Sequence, residues 1–154
     1  MTPRVIDMPG DDDLRRHVAR LCVEQWRGDF PHDTDRWYLD LYEAADSGDA
    51  LPLVLVAMDD AEFLGTASLI TDDELPGADE PGPWLAAVYV VESHRGQGVG
   101  SSLVRAMTTR AVALGCTPVY LYTESGRDWY ETLGWKVVRM SSLAGHDVTV
   151  MRWG

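Results

Sequence analysis

Residues 90–104, VVESHRGQGVGSSLV, pass from an apolar run through Arg95-Gly96-Gln97-Gly98-Val99-Gly100 into a new amphipathic pattern. Glycine is tolerated where the backbone needs positive φ or must let another group come close, and it costs conformational entropy elsewhere. Three glycines in five positions, between a strand and a helix, point to a ligand lying against the main chain. The first N–H groups of a helix lack backbone partners and the helix dipole adds about half a positive charge, so phosphate is the natural occupant. Arg95 can add charge-assisted bonds to its oxygens. His94, beside it, could also reach a phosphate, although a solvated surface role suits it better. A plain strand-to-helix turn is the competing reading.

The type of phosphate ligand is narrowed by what is missing. A dinucleotide fingerprint G-x-G-x-x-G needs glycine or alanine where Ser101 or Leu103 stands, and a P-loop needs a Lys followed by Ser or Thr after the second glycine. Both patterns fail. In Trp129-Tyr130-Glu131-Thr132-Leu133-Gly134-Trp135, the tyrosine can pack between Trp129 and Leu133.

Elements of ordinary type must position these residues. Arg4–Met8 reads as a short strand, Asp11-Asp12-Asp13 begins a helix running to about Trp26, and Phe30-Pro31-His32-Asp33 breaks it. Thr34 or Asp33 can cap a second helix with Trp37 and Leu41 on one face, ending at Ser47-Gly48. Leu53–Met58 and Glu62–Thr71 form a hairpin around Asp59-Asp60-Ala61. The loop Thr71–Pro83, long enough to suggest function, leads into Trp84–Val91, an unbroken apolar run expected to be a strand buried on both faces. After the glycines come a helix to Leu114 with Gly115 as its stop, a strand Val119–Thr123, a short helix from Gly126 to Leu133, and strands Trp135–Met140 and Asp147–Trp153. The order β-α-α-β-β-β-α-β-α-β-β predicts an α/β (α+β) domain with a mixed sheet.

Composition bounds the function. The 154 residues suit one domain, and 45% hydrophobic with 25% charged residues is ordinary for a globular chain. A formal net charge of -12 disfavours nucleic acid and anionic membrane surfaces and attracts cations. Two cysteines, Cys22 and Cys116, without a CxxC, fit reduced thiols in the cytoplasm. Neither a signal peptide nor a membrane span is expected. His17, His32, His94 and His146 lack zinc-ligand spacing, so no metal is expected.

The glycine turn resembles the acetyl-CoA signature Q/R-x-x-G-x-G/A of the GNAT superfamily, the acetyl-CoA-dependent N-acetyltransferases, and matches every fixed position. The element order is similar to that superfamily over essentially the whole chain. The resemblance implies a mostly antiparallel central sheet flanked by helices and acetyl-CoA as acetyl donor. It implies that Arg95, Gly96, Gln97, Gly98, Val99, Gly100 and Ser101 hold the pyrophosphate. The strand Leu85 to Val91 would pair with the pantetheine arm, and a backbone N–H near Val88, Tyr89 or Val90 would polarise the thioester carbonyl. The Trp129–Trp135 segment is similar to the family's Y-x-x-x-G-F, which makes Tyr130 the acid for the departing thiolate.

An alkyl amine is mostly protonated at pH 7 and must lose a proton before it attacks. Glu92 and Glu124 end strands and are the candidate bases, with Asp72, Asp73 and Glu74 in the long loop as others. Many relatives carry an asparagine before the tyrosine-bearing helix, where this chain reads Thr123-Glu124-Ser125-Gly126, so amine-side contacts do not carry over. The acidic loop favours a small cationic amine over a peptide N-terminus or lysine. A monomer or homodimer is expected. A CoA-binding domain without turnover is the alternative, because a lost base would leave a similar scatter of acids.

Overall fold

The computed structural model describes residues 3–26, 33–47 and 50–154. Asp11 opens helix α1 (Asp12–Trp26): its Oδ1 accepts the amides of Asp13 and Leu14 at 3.0 and 3.2 Å, satisfying two otherwise orphan donors. Thr34, rather than Asp33, caps α2 (Asp35–Ala44), with its Oγ1 accepting the Trp37 amide at 3.2 Å. A 3₁₀ turn, Ala45–Ser47, continues it. The break expected at Phe30-Pro31-His32, and Gly48, lie outside the described residues.

The strands are β1 (Arg4–Asp7), β2 (Leu53–Asp59), β3 (Glu62–Ile70), β4 (Trp84–Val90), β5 (Val119–Thr123), β6 (Lys136–Leu143) and β7 (His146–Trp153). They form one seven-stranded sheet in the order β1-β2-β3-β4-β5-β7-β6. Every pairing is antiparallel except β4 with β5. Helices α3 (Val99–Ala113) and α4 (Arg127–Thr132) complete the order read from the sequence.

Strand β2 shows how the sheet divides the core. Leu53, Leu55 and Ala57 pack with Val99, Leu103, Val104 and Met107 of α3, while Val54, Val56 and Met58 join Val18, Cys22, Tyr38 and Tyr42 of α1 and α2 on the other face. The period of two along the strand thus supplies both layers. Burial on both faces, expected of β4, holds instead for β2 and β3. In β4 only Trp84, Leu85 and Ala86 are buried, and Ala87 to Val90 are half-exposed. The apolar run forms a strand, but its second half borders open space rather than a covering layer. Val91 lies beyond the strand, its amide bonded to the Leu64 carbonyl at 2.9 Å.

Strand β6 runs three residues past the expected end at Met140, with Ser141, Ser142 and Leu143 pairing with Val148, Asp147 and His146. As the edge strand it is largely exposed, and its half-buried positions include the polar Arg139 and Ser141, so no apolar alternation marks its extent. The connection to β7 is the two-residue turn Ala144-Gly145, both at positive φ, which matches the twist of a tight hairpin. His146 is therefore in the strand.

Residues 71–83 cross from β3 to β4 and are pinned at Glu80. Arg139 of β6 donates Nε and Nη2 to its two carboxylate oxygens at 3.0 and 2.8 Å, and the Glu80 side chain is 12% exposed. This bond holds the Glu80 carboxyl below its ordinary range. A carboxylate so lowered contributes stability above its unfolded pKa and loses it as pH falls through the folded one. Glu80→Gln should therefore be less stable than the parent at pH 7, by about 1–3 kcal/mol. Urea unfolding repeated at decreasing pH should show the difference closing through the carboxylate range.

Candidate functional site

A β-bulge opens the sheet. Thr66 pairs with Tyr89 and Ser68 with Ala86, so Ala67 faces both Ala87 and Val88, and Ala87 takes φ +54°. Such a bulge bends its strand. Beyond it β4 leaves β5: the two are matched only at Trp84 and Tyr120, where the Tyr120 amide reaches the Pro83 carbonyl at 2.9 Å. Strand β5 pairs along its whole length with β7 instead. The second half of β4 thus presents an edge without a strand partner to a cleft.

Two cavities occupy this cleft. The first, about 370 Å³, lies between Val88–Val90 and the segment Thr123 to Tyr130, with the glycine turn at its end. The second, about 410 Å³, is walled by α1, α2, β4, β5 and the β6–β7 hairpin. Gln25, Val88, Thr123, Ser125 and Tyr130 line both. They meet at the tyrosine.

The glycines divide the work at the turn. Gly96 and Gly98 adopt φ +75° and +85°, and a Cβ on either would meet nothing within 4 Å. Gly98 is the N-cap of α3 and offers no side-chain acceptor, so the Val99, Gly100 and Ser101 amides face the cavity end without a capping oxygen. Gly100 serves packing instead: a Cβ there would lie 3.2 Å from the Trp129 ring. Two glycines leave room above the backbone, and the third admits an indole.

Val88, Tyr89, Val90, Arg95, Gly96, Gly98, Val99, Gly100 and Ser101 all line the first cavity. Gln97 does not, and its amide nitrogen lies 3.4 Å from the Ser93 carbonyl. Arg95 folds back over β4, with Nε donating to the Val90 carbonyl at 2.9 Å and the guanidinium 5.8 Å from the Tyr89 ring centroid. His94 lines the same cavity, with Nδ1 3.0 Å from Ser93 Oγ and Nε2 3.9 Å from Glu62.

Tyr130 is 9% exposed and set by its neighbours: the Trp129 and Trp135 rings at 4.7 and 5.9 Å, and Gly126, where a Cβ would come within 3.1 Å of its ring. Thr123 Oγ1 fixes that turn by accepting the Gly126 amide at 2.8 Å. Burial raises the phenol above its ordinary pKa, so it stays protonated and able to donate. Glu124 lines the second cavity in an exposed pair, its Oε1 3.3 Å from His146 Nδ1. Glu92 is exposed on a 3₁₀ turn and lines neither cavity.

Sequence spacing gave no hint of the rest of the second cavity. Trp26, Trp37, Tyr38 and Tyr122 are its aromatic walls, and Asp73 turns into it from the long loop. Among the described residues no Lys or Arg lines it. Burial is the main cause that holds the Asp73 carboxyl well above its usual range, and the Asp72 and Glu74 charges add to it, while the Tyr122 hydroxyl bond opposes it. Neither Cys22 nor Cys116 lines either of these cavities, and burial pushes the Cys22 thiol up to about 12. Among the described residues no helix is long and apolar enough to cross a membrane, and no cluster of three His, Cys, Asp or Glu could hold a metal.

Comparison with known proteins agrees with this architecture. No curated protein sequence matches significantly. Among solved structures, an aminoglycoside 6'-N-acetyltransferase complexed with coenzyme A is similar at TM-score 0.78 and 16% identity, over 97% of this chain and 95% of that one. The PaiA N-acetyltransferase of Thermoplasma acidophilum, in complex with coenzyme A, gives 0.74 and 18%, over 99% of both chains. The structure of YncA from Salmonella typhimurium with its cofactor acetyl-CoA gives 0.74 and 20%, over 99% and 93%. At these identities the likeness shows the fold. The family model is matched by the sequence itself, through residues 17–135, which include the glycine turn, the split strands and Tyr130. The chain belongs to the acetyltransferase (GNAT) family.

Proposed function

We propose that the protein transfers the acetyl group of acetyl-CoA to the primary amine of a small cationic acceptor by direct attack. The observation that carries this reading is the pair of cavities meeting at Tyr130, one ending at free helix amides and the other walled by aromatics and carboxylates. The Val99, Gly100 and Ser101 amides would hold the pyrophosphate, with Gly96 and Gly98 leaving it room. Arg95 would need only to swing from the Val90 carbonyl to reach a phosphate oxygen. The open edge of β4 at Val88–Val90 would lie along the pantetheine arm. One of its N–H groups would polarise the thioester carbonyl, a donor typically worth about 10²- to 10³-fold in rate.

Tyr130 would protonate the departing thiolate, burial keeping its phenol in the protonated form. Direct attack fits the placement of both cysteines outside the cavities. A cation fits the acceptor cavity because aromatic faces and carboxylates both attract ammonium groups. Glu124 stands at that cavity as a second acid, and Glu92 has no place in the scheme.

The reading is tested by free-thiol release across cationic amines, lysine peptides and acidic peptides at saturating acetyl-CoA. Turnover should be greatest with small cationic amines, and preference for acidic peptides would refute the acceptor assignment. Tyr130→Phe keeps the ring, so single-turnover rates should fall roughly 10²- to 10⁴-fold with little change in melting temperature. Rates equal to the parent's would make Tyr130 a packing residue.

The donor site is tested separately. Ser101→Asp places a negative charge in the first turn of α3, which the helix tolerates but a pyrophosphate does not. Calorimetry should show acetyl-CoA affinity lost in a folded variant, as also for Gly98→Asp. Unchanged affinity in both would remove the phosphate from the turn.

A further inference from the structure

An acetyl transfer to an alkyl amine leaves one demand that Tyr130 does not meet, a proton acceptor on the amine's side. The titratable groups lining the acceptor cavity are Tyr38, Asp73, Tyr122, Glu124, Tyr130 and His146. The phenols of Tyr38 and Tyr130 are held protonated by burial and serve as donors. Glu124 and His146 are both more than half exposed and engage each other, so their geometry is not fixed toward the interior. Asp73 differs in being held. The Tyr122 hydroxyl of β5 donates to the Asp73 main-chain carbonyl at 3.4 Å and lies close enough to the Asp73 carboxyl to lower its pKa. Its loop is secured on one side by Asp72 Oδ1 accepting the Glu74 amide at 2.8 Å and farther along by the Glu80–Arg139 pair.

Resting on the acetyl-transfer reading, we propose that Asp73 is the general base that takes the proton from the acceptor's ammonium group. The groups around it are Asp72 and Glu74 of its own loop, Tyr122 of β5, and Tyr38 of α2 with Asp33 near it. All are acidic or phenolic. The bound ammonium is therefore the counter-charge of this corner, and it brings the proton to be removed. An ordinary aspartate is a poor match for that task, since proton transfer from an ammonium of pKa about 10 to a carboxylate of pKa about 4 is unfavourable by about six powers of ten. The burial that raises Asp73 narrows this gap.

The step balances as follows. One ammonium proton passes to an Asp73 carboxylate oxygen and from there to solvent. The freed nitrogen lone pair forms the C–N bond at the thioester carbonyl, and collapse of the tetrahedral intermediate breaks the C–S bond. Tyr130 gives its proton to the thiolate, and the second proton lost by nitrogen restores the phenol through solvent. One proton is released overall for each amide and thiol formed.

The test compares Asp73→Asn with the parent over a range of pH, using an alkyl diamine and a weakly basic amine that is already neutral at pH 7. With the diamine at pH 7, kcat/KM should fall about 10²- to 10⁴-fold. The deficit should shrink as pH approaches the amine's own pKa and nearly vanish with the weakly basic amine, while acetyl-CoA affinity stays that of the parent. Equal losses with both amines at every pH would overturn the proposal and leave Asp73 a role in shaping the cavity. The basicity-dependent pattern in Glu124→Gln, with Asp73→Asn active, would overturn it in favour of Glu124. If Asp73→Asn does not fold, Tyr122→Phe replaces it: losing a bond that lowers the Asp73 pKa should move the acidic limb of the profile to higher pH, and an unmoved limb would overturn the assignment. A parent that releases thiol with no amine would overturn the acetyl-transfer reading itself, whereas an active parent isolates the question of Asp73.

Discussion

The structure depends on one irregularity, the two-against-one pairing of Ala87 and Val88 with Ala67. Without the bend it produces, β4 would continue beside β5 and fill the space where both cavities lie. The cost falls on Ala87, a residue with a Cβ held at φ +54°, where roughly 1 kcal/mol or more of strain is usual. What holds it there is the flanking burial: Trp84, Leu85 and Ala86 on one side, and the α3 side chains under Val88 and Val90 on the other.

Around that opening, residues alike in sequence do different work. The acids of the long loop illustrate this. Asp72 caps a turn, Asp73 faces the cavity, and Glu80 anchors the loop to the edge strand. A single electrostatic role for the whole loop, which its composition suggests, gives way to three local ones. The same applies to the glycine turn, where two residues leave room for a ligand and the third leaves room for Trp129.

These differences explain what could be read in advance. The element order was legible because apolar periodicity and capping residues mark the helices and inner strands. The end of the first cavity was legible because it is built mainly from consecutive residues, and a turn with two left-handed positions needs glycine there. The second cavity was not legible. Its walls come from α1, α2, the long loop, β5 and the last hairpin, far apart in the chain, and Trp37 or Tyr122 reads in isolation as ordinary core. Glu92 and Glu124 looked equivalent as acids at strand ends, yet the 3₁₀ turn carries Glu92 away while Glu124 stays at the cavity. The half-exposure of β4 escaped for the same reason, since an apolar strand beside a cleft has the composition of one inside a core.

The break between β4 and β5 also bears on thermodynamic linkage. Strands β1 to β4 and β5 to β7 form two ladders joined by one matched pair, Trp84 with Tyr120. The core layers on both faces and the Glu80–Arg139 pair supply remaining ties. A ligand lying along the open edge of β4 would act as an eighth strand and bridge the two ladders. Because the unfolded chain offers no such edge, occupancy would add to global stability by mass action, about 2.7 kcal/mol at a ligand concentration one hundred times its Kd. With such a ligand, the gap beside β4 would make the sheet's own cohesion a function of ligand concentration.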